Sequence, residues 1–330
     1  MAPMATRMNL DSELVHESIY HPHVRSDLCL ITKGQPFRGR VYSHRRRNNK
    51  QVTSPVSAAT ISDSLRREVL VFFEGIERFR QRLAADETLC GISIYVTDPQ
   101  VTEAVADSVD FLWIDLEHAA MGIEAMRGHL LAARSRRCPI VVRTASSDIA
   151  SIKPILDAGA PGIVVPQVTS AAEVQHVVDA CRYPPQGKRG FGPFTPTDYG
   201  RQEEGYVERA NDAVFVAVMI ECVEAVDAID EIVAIDGLDS IVIGPMDLSG
   251  SLGVLGQADH PDVVGRMEKA IGAARAKGLP VGSGMPADPA FAARQAARGI
   301  QWMQVGVDLA YLTSGVDATM RSLGDALGTD

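Results

Sequence analysis

Gly162-Ile163-Val164-Val165-Pro166 is a run of small and β-branched apolar residues with no polar residue between them. A strand with one wet face alternates apolar and polar positions, so a continuous run of this kind predicts a parallel strand covered on both faces. Working outward, seven more short apolar runs follow the same pattern: Cys90 to Val96, Asp110 to Asp115, Pro139 to Arg143, Val214 to Glu221, Ser240 to Gly244, Pro280 to Gly284 and Trp302 to Gly306. Between them lie segments with apolar residues at helical spacing, among them Ile123 to Ser135, Ser170 to Arg182, Val263 to Lys277 and Pro289 to Arg298. Eight strands alternating with helices predict an α/β chain folded as a (β/α)8 TIM barrel, more economically than a doubly wound sheet with its smaller usual number of strands.

Upstream of the first strand, Leu65, Val69, Phe72, Phe73, Ile76 and Phe79 recur at three- and four-residue steps from Ser62 onward, which predicts a leading helix able to cover the barrel floor. Residues 1–61 differ in kind. The first 60 hold nine Lys or Arg against four Asp or Glu, including Arg45-Arg46-Arg47, and show no sustained apolar period. The expected organisation is therefore a disordered or weakly ordered basic extension over 1–61 and a catalytic barrel over 62–330. The basic run reads as a solvated tail or a misassigned start, with a targeting or docking patch as the alternative. One long insertion, Tyr183 to Arg201, is rich in Pro and Gly and is expected at the barrel mouth, where long loops tend to be functional.

Composition narrows the function classes. The chain is 46% hydrophobic and 22% charged, as in ordinary α/β proteins, and no apolar run is long enough to span a bilayer. A net charge of -10 argues against nucleic acid as the main partner, because a phosphate backbone requires a basic face. Five cysteines, Cys29, Cys90, Cys138, Cys181 and Cys222, are odd in number and widely spaced, so a disulfide framework is not expected and a reducing cytoplasm fits.

In a TIM barrel the reacting groups stand where strands end. The second strand runs into Asp115-Leu116-Glu117-His118, the third ends in Arg143, the fifth in Glu221, and the sixth runs through Gly244-Pro245-Met246 to Asp247. Glu221 and Asp247 close neighbouring strands, within reach of one ion. Mg²⁺ and Mn²⁺ accept few protein ligands and take the rest from water and substrate oxygens; a structural ion pair or a loop cap is the plainer alternative. Gly244 to Ser249 reads as a strand running into a helix, whose free N–H groups suit an anion, or as a simple turn with Asp247 or Ser249 as cap. Arg143 offers a permanently cationic fork to an enolate or a carboxylate. Histidines exchange protons near neutral pH, which makes His118 an acid-base candidate beside Asp115. None of the six lysines, Lys33, Lys50, Lys153, Lys188, Lys269 and Lys277, ends a predicted strand, so carbonyl activation falls to a metal rather than to a Schiff base. Gly282-Ser283-Gly284, at the end of the seventh run, reads as a simple turn after the strand or as a phosphate loop.

These pieces, with Leu156-Asp157-Ala158-Gly159 and Arg182 to Gly190, resemble the HpcH/HpaI family of metal-dependent pyruvate aldolases, related to 4-hydroxy-2-oxoheptanedioate aldolase; the similarity runs from about Phe79 to Leu323. Macrophomate synthase resembles the same family. The resemblance implies Glu221 and Asp247 as ligands of a divalent metal ion (Mg²⁺ or Mn²⁺, alternatively Co²⁺), Arg143 as stabiliser of a pyruvate enolate, and backbone N–H groups of Met246 and Asp247 on the substrate carboxylate. It implies His118 for the acid-base step through water, paired with Asp157 across a subunit contact and supported by Asp115. It further implies a homo-oligomer, dimer to hexamer, that exchanges the last helix, from Asp308 to Leu327. The expected activity is cleavage or formation of a 4-hydroxy-2-oxo acid from a 2-oxo acid and an aldehyde. Alternatives are an oxaloacetate decarboxylase, a macrophomate-synthase-like biosynthetic enzyme, or a 2-oxo acid binder without turnover. Two departures from the family pattern leave the acceptor open: Met219 stands where a Gln usually precedes the metal Glu, and the Phe191 to Tyr199 loop differs.

Overall fold

The computed structural model describes residues 73–328. Eight parallel strands close into a barrel in sequence order: β1 Leu89–Ile94, β2 Phe111–Asp115, β3 Ile140–Arg143, β4 Gly162–Val165, β5 Phe215–Ile220, β6 Ser240–Ile243, β7 Val281–Met285 and β8 Trp302–Val307, with β8 pairing back onto β1. Each run expected to form a strand does so within two residues at either end. The continuous apolar pattern has the anticipated cause: every residue of β2, β4, β5 and β6 is buried. The 1–61 extension and the first part of the leading helix lie outside the described residues.

From 73 to 84 the chain is helical (α1), and Phe73, Ile76, Phe79 and Leu83 are buried at three- and four-residue steps. Phe79 sits on the barrel floor with its ring 5.3 Å from Phe111, 5.5 Å from Phe215 and 5.7 Å from Trp302, all edge to face. This aromatic cluster closes the end where strands begin. Gly282 belongs to it. Gly282-Ser283-Gly284 lies inside β7 and not in a loop after it, so neither the turn nor the phosphate reading holds; a Cβ on Gly282 would stand 2.3 Å from Cε2 of Trp302. The glycine is there because the indole occupies its side-chain space.

Helices important to the site are α2 Gln100–Val105, α3 Ile123–Ser135, α4 Ile149–Asp157, α5 Ala171–Cys181, α6 Tyr206–Ala213, α7 Val223–Asp227, α8 Ile229–Ile232 and α9 Pro245–Ser251. The Tyr183 to Arg201 insertion corrects an expectation. It connects α5 to α6, which leads into the start of β5, so it enters the barrel from the floor side. It packs against the outer helices: Arg189 Nη2 donates to Asp157 Oδ1 of α4 at 2.9 Å, and Arg127 of α3 donates to the Tyr199 hydroxyl at 2.6 Å. The mouth is built by the shorter connections that follow the strands.

After α10 Pro261–Ala276 and α11 Pro289–Ala297 the chain ends in α12, Asp308–Leu327, in which only Asp308 is buried. Asp308 ties the helix to the barrel by accepting the N–H groups of Tyr95 and Val96. Leu309, Leu312, Val316, Met320, Leu323 and Leu327 form an exposed apolar stripe at helical spacing. No helix among the described residues is long and apolar enough to cross a membrane.

Candidate active site

Strand register assembles the site. Asp115, last in β2, lies beside Arg143, last in β3. Ile220 and Ile243 are likewise paired at the ends of β5 and β6, so Glu221 and Gly244 leave the barrel together. A Cβ on Gly244 would stand 2.6 Å from Glu221 Oε2 and 2.7 Å from its Cβ, so the carboxylate occupies space that only glycine leaves open. Asp247 follows in the first turn of α9, exposed at the mouth.

Arg143 is held by three groups. Its Nε donates to Asp115 Oδ1 at 3.0 Å and its Nη2 donates to Asp115 Oδ2, a two-point grip. Its Nη1 lies 3.0 Å from Glu117 Oε2 and 3.8 Å from Met219 Sδ. The Glu117 contact is a charge contact without hydrogen-bond alignment, since Oε2 is buried and has no hydrogen-bond partner. Burial alone would raise the Asp115 carboxyl and lower the Arg143 guanidinium. Their mutual hydrogen bonds and charge outweigh burial, so Asp115, which also accepts the N–H groups of Glu117 and His118, titrates below 3.8, and Arg143 is raised. Tyr95, just beyond β1, is pushed up to about 12 by burial first and by Asp115 second.

Glu221 is in a different environment. Its side chain is buried, and Oε1 accepts the backbone N–H of Gln167 at 2.6 Å. Burial is the main reason its carboxyl is pushed up to about 7; the Gln167 N–H opposes this, while the negative charges of Asp247 and Glu117 add to it. A buried carboxylate crowded by like charge is poised to take up a cation. Among the described residues no group of three or more His, Cys, Asp or Glu is arranged to hold a metal, so the pair Glu221 and Asp247 would leave most positions of an ion to water or substrate.

Of the residues singled out in the sequence, Asp115 and Arg143 touch, and Glu221 feels the charges of Asp247 and Arg143. His118 stands at the rim with its side chain 58% exposed and Nε2 3.9 Å from Glu117 Oε2. Met246 is exposed in the first turn of α9, where no side chain caps the helix; this removes Asp247 and Ser249 as caps. Asp157 ends α4 at the floor side and is paired there with Arg189, so within one chain it does not join His118. Glu117, Gln167 and Tyr95 escaped selection. Glu117 lay inside the quoted Asp115 to His118 segment and was legible as a strand-end carboxylate; Gln167 follows β4 by two residues but is of a type that carries no charge signal.

The HpcH/HpaI aldolase/citrate lyase family model matches residues 96–314. A hydroxypyruvate/pyruvate aldolase of Pseudomonas aeruginosa is 34% identical over 77% of this chain and 92% of its own. A 4-hydroxy-2-oxo-heptane-1,7-dioate aldolase of Salmonella dublin is 35% identical over 74% of this chain and 94% of its own. The crystal structure of macrophomate synthase superposes with a TM-score of 0.64 at 26% identity, over 77% of this chain and 90% of that one. With the closed parallel barrel and the acidic and cationic groups collected at its mouth, these matches place the chain in the HpcH/HpaI aldolase/citrate lyase family of carbon–carbon lyases.

Proposed function

We propose that the chain is a divalent-metal-dependent aldolase that cleaves or forms 4-hydroxy-2-oxo acids through the enolate of a 2-oxo acid. The observation that carries this reading is the buried Glu221 carboxylate, crowded by the charge of Asp247 and standing two strands away from a guanidinium that is fixed but not fully engaged. Two carboxylates with open positions suit Mg²⁺ or Mn²⁺, which when bound supplies Lewis-acid polarisation of the substrate's keto oxygen. Among the described residues no lysine is positioned for a Schiff base: Lys153 and Lys269 lie within helices, Lys277 is the C-cap of α10, and Lys188 pairs with Asp179.

The remaining work belongs to the chain's own groups. Arg143 Nη1 faces the substrate's developing negative oxygen, and Asp115 keeps the guanidinium from turning away. The backbone N–H groups of Met246 and Asp247, in an uncapped first turn, suit the substrate carboxylate. In the cleavage direction His118 takes the C4 hydroxyl proton by way of water, the C3–C4 bond breaks, the aldehyde leaves, and its bonding electrons pass to the enolate. The proton taken by His118 then returns through water to C3 and yields the 2-oxo acid. Asp157 would serve a neighbouring subunit's histidine, and the exposed stripe of α12 suits packing on a second copy.

The test is pyruvate-dependent aldol addition to a panel of aldehydes, run beside oxaloacetate decarboxylation, with and without chelator. Aldol turnover that chelator abolishes and Mn²⁺ restores is the expected result. Turnover indifferent to chelator, or trapped by borohydride with pyruvate, defeats the metal reading; decarboxylation without aldol addition assigns the enolate to the decarboxylase alternative.

A further inference from the structure

Gln167 joins two of the site's carboxylates, and the way it does so is unusual for its residue type. Five described non-glycine residues have positive φ, and Gln167, at +57°, is the one that follows a strand. Glutamine seldom adopts this left-handed conformation, and such residues gather at functional sites when their surroundings hold them there. Here the conformation turns the backbone N–H onto Glu221 Oε1 at 2.6 Å, while the side-chain amide Nε2 donates to Glu117 Oε1 at 2.9 Å. A single residue beyond β4 thereby links the end of β2 to the end of β5.

The second link governs Arg143. Two of its three guanidinium nitrogens are committed to Asp115. The third, Nη1, has as neighbours a thioether sulfur, which accepts weakly, and Glu117 Oε2 at 3.0 Å out of alignment. The ion pair between Glu117 Oε2 and Nη1 lacks hydrogen-bond alignment, and a Glu117 carboxylate turned to align with Nη1 would occupy it. The Gln167 amide holds the other oxygen of that carboxylate.

We propose that Gln167 is a positioning residue for 2-oxo acid binding: by anchoring Glu117 it keeps Arg143 Nη1 available to the substrate's anionic oxygen. This rests on the aldolase reading above. Gln167 touches the substrate only through these neighbours, and its backbone N–H, which any replacement except proline retains, keeps Glu221 in place.

The experiment uses the full chain, Mn²⁺ as the metal and oxalate as a planar mimic of the enolate, with titration calorimetry as readout. Two variants remove the amide in different ways: Gln167→Gly accepts positive φ without strain, and Gln167→Met keeps the volume. Both are expected to weaken oxalate binding to the Mn²⁺-loaded protein about fivefold, the usual worth of one hydrogen bond, while the Kd for Mn²⁺ alone changes less than about twofold. In a Glu117→Gln background, where no carboxylate competes for Nη1, adding Gln167→Gly is expected to change oxalate affinity less than about twofold. Unchanged oxalate affinity, a parallel fall in Mn²⁺ affinity, or a full effect in the Glu117→Gln background overturns the proposal. So does collapse of both variants' melting transitions, which would make Gln167 a residue of the fold. Wild-type protein that binds no oxalate with Mn²⁺ overturns the aldolase reading as well; wild-type binding with unmoved variants overturns the role of Gln167 alone.

Discussion

Arg143 and Asp115 face each other from adjacent strand ends in a two-point contact, Nε on Oδ1 at 3.0 Å and Nη2 on Oδ2, with both side chains nearly closed to solvent. A lysine cannot make this fork. Arg143→Lys is expected to lower kcat/KM for the 2-oxo acid about 100-fold. Arg143→Leu, which strands a buried carboxylate, is expected to cost ~3 kcal/mol in urea unfolding, and Asp115→Asn in the same chain to restore most of it. Full activity in the lysine variant would show that charge without geometry is enough.

The same contact sets a pH dependence. The folded-state pKa of Asp115 lies below its ordinary 3.8, so its stabilisation is fully present above the unfolded value and is lost as pH falls through the folded one. The melting-temperature gap between wild type and Asp115→Asn is expected to be constant above about pH 5 and to shrink below about pH 4. A gap that does not close in acid would mean the asparagine acts through packing.

Glu221 has the opposite sign. Its carboxyl titrates near 7 instead of 4.5, so in metal-free protein it is destabilising in the ionised form, increasingly so as pH rises from 4.5 through 7. Glu221→Gln is therefore expected to melt higher than wild type in EDTA at pH 8, by an amount on the order of 3 kcal/mol at most, with no advantage at pH 4.5. Excess Mn²⁺ should erase the advantage by stabilising wild type alone. Activity of the variant should be lost throughout.

At the floor, Gly282→Ala would drive a methyl into the Trp302 ring, where 2.3 Å is available. Overpacking of this kind costs ~1–3 kcal/mol, so the variant's melting temperature should drop by several degrees with KM for the 2-oxo acid unchanged. A selective loss of substrate affinity would instead return this glycine to a binding role.

The apolar stripe of α12 exposes Leu312, Val316 and Met320 at 62, 51 and 56%. If a second copy covers it, Leu312→Glu with Val316→Glu should lower the molar mass measured by light scattering to that of one chain. The proposed contribution of Asp157 from a neighbour then predicts loss of aldol activity with the barrel still folded. An unchanged mass in the double variant would put the contact elsewhere.

How much of this could be read before folding depends on range. Strand burial is a local property, written in runs such as Gly162 to Val165, and it sufficed for eight strands, the closed barrel and the strand-end placement of Asp115, Arg143 and Glu221, with Asp247 just beyond. The absence of a strand-end lysine, equally local, pointed to a metal. What lay beyond reach depended on register, rotamers and the path of connections. Residues 28 and 50 apart meet when Arg143 grips Asp115 and Gln167 holds Glu117. Nothing in glutamine's chemistry signals a left-handed backbone, and a Pro- and Gly-rich insertion does not announce which end of the barrel it serves. Topology sent that insertion, with Asp157 and Arg189, to the floor side. Glu221 and Asp247 were visible as two carboxylates one strand apart, but only packing made one of them buried and the other open, and that difference supplies the pair's proposed affinity for a cation.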